Sequence, residues 1–174
     1  QYFNVDSFNE MTPPSPDPAY LREVGRATLE TLREVVPEAV WVLQGWLFHY
    51  SPDFWQPAQK AALLNSVPRG AMLVLDLAAD EDPQWPKAPA SFAGQPFIWC
   101  LLNNYGGNVG IKGNLLNIVE GPSGAAANGS TVAGTGICSE GILQNPVLYE
   151  LLYDMASQDP PTAKGLRGWL GGYA

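Results

Sequence analysis

The chain has 174 residues, with 9 lysines and arginines against 17 aspartates and glutamates, a net charge of −8, and 46% apolar, 11% aromatic and 15% charged residues. So apolar and charge-poor a composition forms a core and excludes disorder, and the length suits one domain or part of one. An acidic chain with few scattered cations repels phosphate, which excludes nucleic-acid binding, and no apolar run approaches the ~20 residues of a membrane span.

Five short β-rich runs are predicted, at 2–8, 39–44, 72–77, 97–102 and 131–136. Runs such as Val40-Trp41-Val42-Leu43 and Met72-Leu73-Val74-Leu75 are continuously apolar, the habit of parallel strands covered on both faces. After the first strand, Asp17-Pro18 reads as an N-cap followed by proline in the first turn of a helix, with Leu21, Val24, Thr28, Leu32, Val35 and Val36 on one face. Pro57 starts a second helix to about Leu64. The segment 78–94 is rich in Pro, Asp and Ala and reads as a long loop. A short helix is predicted over 112–119, and another from Asn145-Pro146, with Val147, Leu148, Leu151, Leu152 and Met155 on its apolar side. The final residues, 169–174, fall inside a helix-like run, and residue 1 is Gln, so the chain reads as a fragment: a single partial domain over 1–174, from which compartment cannot be inferred.

Alternating strands and helices admit an open doubly wound sheet or part of a (β/α)₈ barrel. No GxGxxG follows the first strand, which weakens the dinucleotide-binding version. The barrel is favoured because Asn9-Glu10, Gln44-Gly45-Trp46, Asp76, Asn103-Asn104 and Ser139-Glu140 all fall at or just past strand C-termini, which share the active-site rim of a barrel. The expected fold is therefore α/β, about five of the eight strands of a TIM barrel.

Glu10 and Glu140 would then face each other across one rim, and glycoside hydrolysis needs such a pair, one carboxyl protonated and one ionised. Trp46, Trp85, Trp99 and Tyr105 offer flat apolar faces for a sugar ring. The run Asn103-Asn104-Tyr105-Gly106-Gly107-Asn108 concentrates neutral donors and acceptors. Asp76 suits either a substrate hydroxyl or a structural role, His49 a packing role, and Asp80-Glu81-Asp82 a solvated loop. Asn128-Gly129-Ser130 matches a glycosylation acceptor. Cys100 and Cys138 are expected as unlinked thiols, no Cys/His spacing suggests zinc, and no metal or organic cofactor is expected. No Gly-x-Ser-x-Gly elbow, P-loop or HExxH occurs.

Six blocks in order, Phe8-Asn9-Glu10-Met11 with Pro13-Pro14, Leu43-Gln44-Gly45-Trp46-Leu47-Phe48, Leu73-Val74-Leu75-Asp76-Leu77, Gln95-Pro96-Phe97-Ile98-Trp99-Cys100, Asn104-Tyr105-Gly106-Gly107-Asn108 and Gly134-Thr135-Gly136, closely resemble α-N-acetylglucosaminidases of glycoside hydrolase family 89. The resemblance implies a (β/α)₈ catalytic domain that removes terminal α-linked N-acetylglucosamine with retention, from heparan sulfate in the lysosome of animals or from mucin-type chains by secreted or periplasmic bacterial relatives. It also implies Glu10 as general acid/base and Glu140 as nucleophile, with Asn9, Trp46, Leu77, Trp99 and Asn104 binding substrate. At position 103 the chain has Asn where the family block often reads His. The implied partners are a glycan with terminal α-GlcNAc and the remaining domains of the parent chain.

In the α-anomer the 2-acetamido oxygen lies on the leaving-group face, so it cannot attack C1 and two enzymic carboxyls are required. Retention predicts a carboxyl separation of ~5–5.5 Å. The fragment alone is expected to be inactive and prone to aggregate through open sheet edges. The alternatives are a sugar-binding barrel module without hydrolysis and a barrel glycosidase of other specificity.

Overall fold

The computed structural model describes residues 1–107, 109–110, 112–157 and 160–173. Five strands, β1 (Tyr2–Asn4), β2 (Val40–Gln44), β3 (Met72–Asp76), β4 (Phe97–Leu101) and β5 (Val132–Ile137), form one sheet in the order β1-β2-β3-β4-β5. All neighbouring pairs are parallel. A doubly wound sheet reverses its strand order at a switch point; this order runs in one direction, so the chain forms part of a (β/α)₈ barrel.

The intervening segments carry α1 (Pro18–Val35), α2 (Trp46–Tyr50), α3 (Pro57–Leu64), a single turn α4 (Ala90–Ala93), α5 (Leu115–Ala127), α6 (Pro146–Asp154) and α7 (Leu166–Tyr173). Helix α1 begins where its cap predicts: the Asp17 side chain accepts from Ala19 N at 2.8 Å, and Pro18 occupies the first turn, where a missing N–H costs nothing. Its buried line is Leu21, Gly25 and Leu29, and Val35 turns out to solvent at 83% exposure, outside the expected apolar face.

Helix α5 extends well past the expected 112–119. Asn114 caps it by accepting from Asn117 N at 3.2 Å, and it continues through Pro122. Packing carries it past the proline: Ile118, Val119 and Ala125 are buried, and Gly121 lies so close to the Trp99 ring that a Cβ would come within 2.8 Å of it. Between β3 and β4 no right-handed helix forms. Ala90, Ser91, Phe92 and Ala93 all have positive φ, from 45° to 58°, so α4 winds left-handed.

The strands alternate rather than being buried on both faces. Trp41, Leu43, Met72, Val74, Phe97 and Trp99 pack under the helices at full burial, while Val40, Val42, Gln44, Leu73, Leu75 and Ile98 are half-buried on the concave side. Strand β1 ends at Asn4, short of the expected 2–8; a last bond runs from Val5 N–H to Val42 O at 3.2 Å, and the chain turns at Phe8, whose φ is 63°. Cys100 and Cys138 are free thiols. None of the described helices is long and apolar enough to cross a membrane.

Candidate active site

A hollow of about 130 Å³ opens at the strand C-termini, lined by Asn9, Glu10, Gln44, Trp46, Leu77, Leu102, Tyr105, Gly106 and Glu140. Its walls come from the ends of all five strands. The turn at Phe8 brings Asn9 and Glu10 over the rim from β1, and Glu140 arrives three residues after β5. Gly45 makes the β2 wall possible: its N–H donates to Leu75 O at 2.7 Å, and a Cβ there would lie 2.6 Å from that oxygen. The next residue is Trp46, whose indole Nε1–H donates to Glu10 Oε1 at 3.1 Å. Tyr105 meets Trp46 edge-on, with ring centroids 5.2 Å apart. The Asn9 Oδ1 is buried without a protein hydrogen-bond partner among the described residues, an open acceptor at the wall.

Not every expected residue reaches this wall. Trp99 is fully buried on the helix side, and together with Trp85 it lines a separate hollow under α5 that includes Glu120 and Gly121. Along β4, Ile98 and Cys100 take the concave face, as their approach to Gly136 shows, so strand alternation turns Trp99 away from the hollow. Asn104 is also fully buried, one layer behind the wall. Its Nδ2 donates to Leu143 O and its backbone carbonyl accepts from Gly141 N at 3.0 Å, so it holds the segment that carries Glu140. Gln144 braces the same segment, donating to Gly141 O at 2.6 Å and accepting from Tyr149. Asn108, the last residue of the amide-rich run, lies outside the described residues.

Of the three acidic residues expected in a solvated loop, Glu81 is exposed as expected and Asp82 half-exposed, while Asp80 is buried, and all three are tied to neighbouring elements. Asp80 is 4% exposed, and its carboxylate accepts from the backbone N–H groups of Leu102 and Asn103, each at 3.1 Å, fixing the β4 exit. Burial raises its pKa against the pull of those amides. Glu81 pairs with Lys112, which lies over the Tyr105 ring at 5.8 Å. Asp82 accepts from His49, Gln84 and Lys87. One strand turn earlier, Asp76 is fully buried and accepts from Gln84 N at 3.0 Å and Trp85 N at 2.9 Å. Burial pushes its carboxyl up to about 6 even so. Asp76 therefore serves the loop and does not reach the hollow. Nothing in the local sequence marks Asp80 as buried; only the juxtaposition of β3 and β4 does so.

Asp6, just before the turn, has its pKa raised by burial and by the nearby Glu10, and its Oδ1 lacks a partner among the described residues. Near the other glutamate, a hydrogen bond with Cys138 and burial push the Cys100 thiol up, while the same bond holds Cys138 below the usual thiol range. Among the described residues no group of three or more His, Cys, Asp or Glu is placed to hold a metal ion.

A parallel barrel layout with two glutamates and two aromatic rings in one polar rim hollow is the arrangement found in barrel enzymes that act at the strand C-termini. The sequence profile described as "Alpha-N-acetylglucosaminidase (NAGLU) tim-barrel domain" matches residues 1–159, and the chain belongs to this family. It is 47% identical over 173 residues to the Homo sapiens alpha-N-acetylglucosaminidase, covering 99% of this chain and 23% of that protein. It is also similar to the family 89 glycoside hydrolase from Clostridium perfringens in complex with 2-acetamido-1,2-dideoxynojirmycin, with TM-score 0.77 and 29% identity over 98% of this chain and 18% of that one. A second C. perfringens structure, CpGH89 with two glutamates changed to glutamine, in complex with its substrate GlcNAc-alpha-1,4-galactose, matches with TM-score 0.76 and 28% identity at the same coverage. The chain thus spans about a quarter or less of the length of these relatives.

Proposed function

We propose that this chain supplies the catalytic rim of a retaining α-N-acetylglucosaminidase, acting as part of a longer protein. The observation that carries the reading is that Glu10 and Glu140, from the two edges of the sheet, line one hollow with Trp46 and Tyr105. Family membership supports the substrate: the human relative bears this activity in its name, and the bacterial relative holds GlcNAc-alpha-1,4-galactose as its substrate in a variant with two Glu→Gln changes.

In the proposed reaction the Glu140 carboxylate attacks C1 from the face opposite the aglycone. The C1–O bond breaks, and the departing oxygen takes its proton from Glu10, leaving a β-glycosyl ester on Glu140. Glu10, now ionised, removes a proton from water, which attacks C1 and frees Glu140, releasing α-N-acetylglucosamine. The Trp46 and Tyr105 rings give the sugar apolar contact, and Asn9 Oδ1 accepts from a sugar hydroxyl or from the acetamido N–H. Asn104 acts behind the wall by holding the Glu140 segment, and Trp99 by packing against α5. Heparan sulfate and mucin-type chains are the two glycan classes in view, and competition between them for the same enzyme ranks them. The 174-residue piece alone is inactive in this reading, since its five strands leave an eight-strand barrel open.

Proton NMR of the first product formed from an aryl α-N-acetylglucosaminide tests the reading. α-N-Acetylglucosamine appearing first supports it; the β-anomer appearing first means inversion, and no hydrolysis by the full-length protein, with sugar binding retained, means a binding module.

A further inference from the structure

Helix α2 spans only five residues, Trp46–Tyr50, and no side chain caps its N-terminus. So short a helix does not fix its first side chain through its own backbone bonds. Yet Trp46 is well placed in the hollow, with its indole N–H on Glu10. The His49 ring lies one turn along at a centroid distance of 4.8 Å and a tilt of 37°. His49 is tied in turn to the segment that follows β3, its Nδ1 lying 2.7 Å from Asp82 Oδ2. Asp82 cannot swing away, because Gln84 Nε2 donates to the same oxygen at 2.8 Å and Lys87 Nζ grips the other. Partial burial works against the Asp82 charge, but the bonds from Lys87 and His49 outweigh it and hold the carboxyl below its usual range.

We propose that His49 and Asp82 are positioning residues for the acid/base step: Asp82 holds the His49 ring, His49 holds the Trp46 indole, and the indole N–H aims the Glu10 carboxyl at the glycosidic oxygen. This rests on the function proposed above. An apolar ring at 49 would pack on Trp46 equally well but could not be tied to a second element. The histidine both stacks and hydrogen-bonds, and so couples the exits of β2 and β3. Neither residue touches the substrate; both act through Trp46.

The consequence is specific to proton donation. An aglycone such as dinitrophenolate leaves without a proton, whereas an alkyl or sugar aglycone needs the Glu10 proton as the C1–O bond breaks. The value of kcat/KM reports the steps up to that bond cleavage, so a misaimed Glu10 lowers it for the second kind of substrate only. The test uses the full-length protein and compares dinitrophenyl and methyl α-N-acetylglucosaminides in wild type, His49→Ala, Asp82→Ala and Asp82→Asn. For His49→Ala and Asp82→Ala, kcat/KM on the methyl glycoside should fall about 10²-fold, the effect of a small misplacement, while the dinitrophenyl value should fall at most about tenfold, the part that the disturbed Trp46 contact with the sugar costs both substrates. Asp82→Asn, whose amide oxygen still accepts from His49, should show a smaller loss of the same kind, and it carries the comparison if the alanine variants do not fold. Equal losses on both substrates, or no loss on either, overturn the positioning role. A wild type that cleaves neither substrate overturns the functional reading itself, a separate result.

Discussion

Two hollows of this molecule, one on its outer surface and one at the rim, make an instructive pair. The larger, about 540 Å³, is an open groove lined by Arg26, Leu29, Glu30, Arg33, Glu34, Ser66, Val67 and Pro68, on the outer surface where α1 meets the segment after α3. Its charges are partly committed: Arg26 binds Glu30, and Glu23 besides, along the helix, and Arg33 Nε donates to Ala39 O at 3.2 Å. The rim hollow has about a quarter of that volume, yet it holds two glutamates from opposite sheet edges, two aromatic rings and an open amide acceptor. Volume measures where helices splay apart. Convergent, uncommitted chemistry at strand C-termini marks where a reaction can be supported.

The largest effects should come from the rim glutamates. In the full-length protein, Glu140→Gln should lower kcat about 10⁴-fold or more, and Glu10→Gln by about 10²–10⁴-fold on substrates with poor leaving groups. Steady-state kinetics check both, and retention of near-normal rates in either variant would remove that residue from the chemistry and level the contrast between the two hollows.

Next comes the support beneath the rim. Asp76→Ala strands the buried N–H groups of Gln84 and Trp85 and should cost about 2–4 kcal/mol of stability, read by chemical denaturation. Because burial raises the Asp76 pKa from 3.8 to about 6, the folded state holds this proton more tightly than the unfolded chain does. Its contribution is therefore greatest below 3.8, declines as pH rises to about 6 and is flat above. Asp76→Asn should remove that decline from the stability profile.

A smaller effect is expected at Gly45, where an alanine Cβ would meet Leu75 O at 2.6 Å. Gly45→Ala should cost about 1–3 kcal/mol and, by displacing α2, lower kcat/KM as well. The smallest effect sharpens the comparison from the other side. Arg26→Ala, in the larger groove, breaks only exposed pairs along one helix and should change neither kcat/KM nor the thermal midpoint measurably.

Much of the architecture was legible because its signals are local. Asp17-Pro18, Pro57 and Asn145-Pro146 start α1, α3 and α6 where first-turn prolines predict. The barrel reading came from polar residues gathered at strand ends, and the unidirectional strand order agrees with it. What was illegible depends on contacts distant in sequence. The facing of Trp99 could not be read, because a continuously apolar strand carries no alternation to show which side meets the helices. The left-handed turn at Ala90–Ala93 uses residues with no preference for that conformation. Asp80, Glu81 and Asp82 look like a solvated run until their partners, the Leu102 and Asn103 amides, Lys112 and His49, are brought in from other elements. The wall residues Asn9, Glu10, Trp46, Leu77 and Glu140, by contrast, stand at or just past strand ends, where the sequence marks them.

The most direct test of the central claim is azide rescue of Glu140→Ala and Glu10→Ala in the full-length protein, with an activated aryl α-N-acetylglucosaminide and the product anomer read by NMR. If Glu140 is the nucleophile, azide fills its place and displaces the phenolate from the opposite face, giving the β-glycosyl azide. In Glu10→Ala, azide instead intercepts the Glu140 ester and gives the α-glycosyl azide. The opposite pairing of variants and anomers, or full activity in Glu140→Ala without azide, would contradict the assignment.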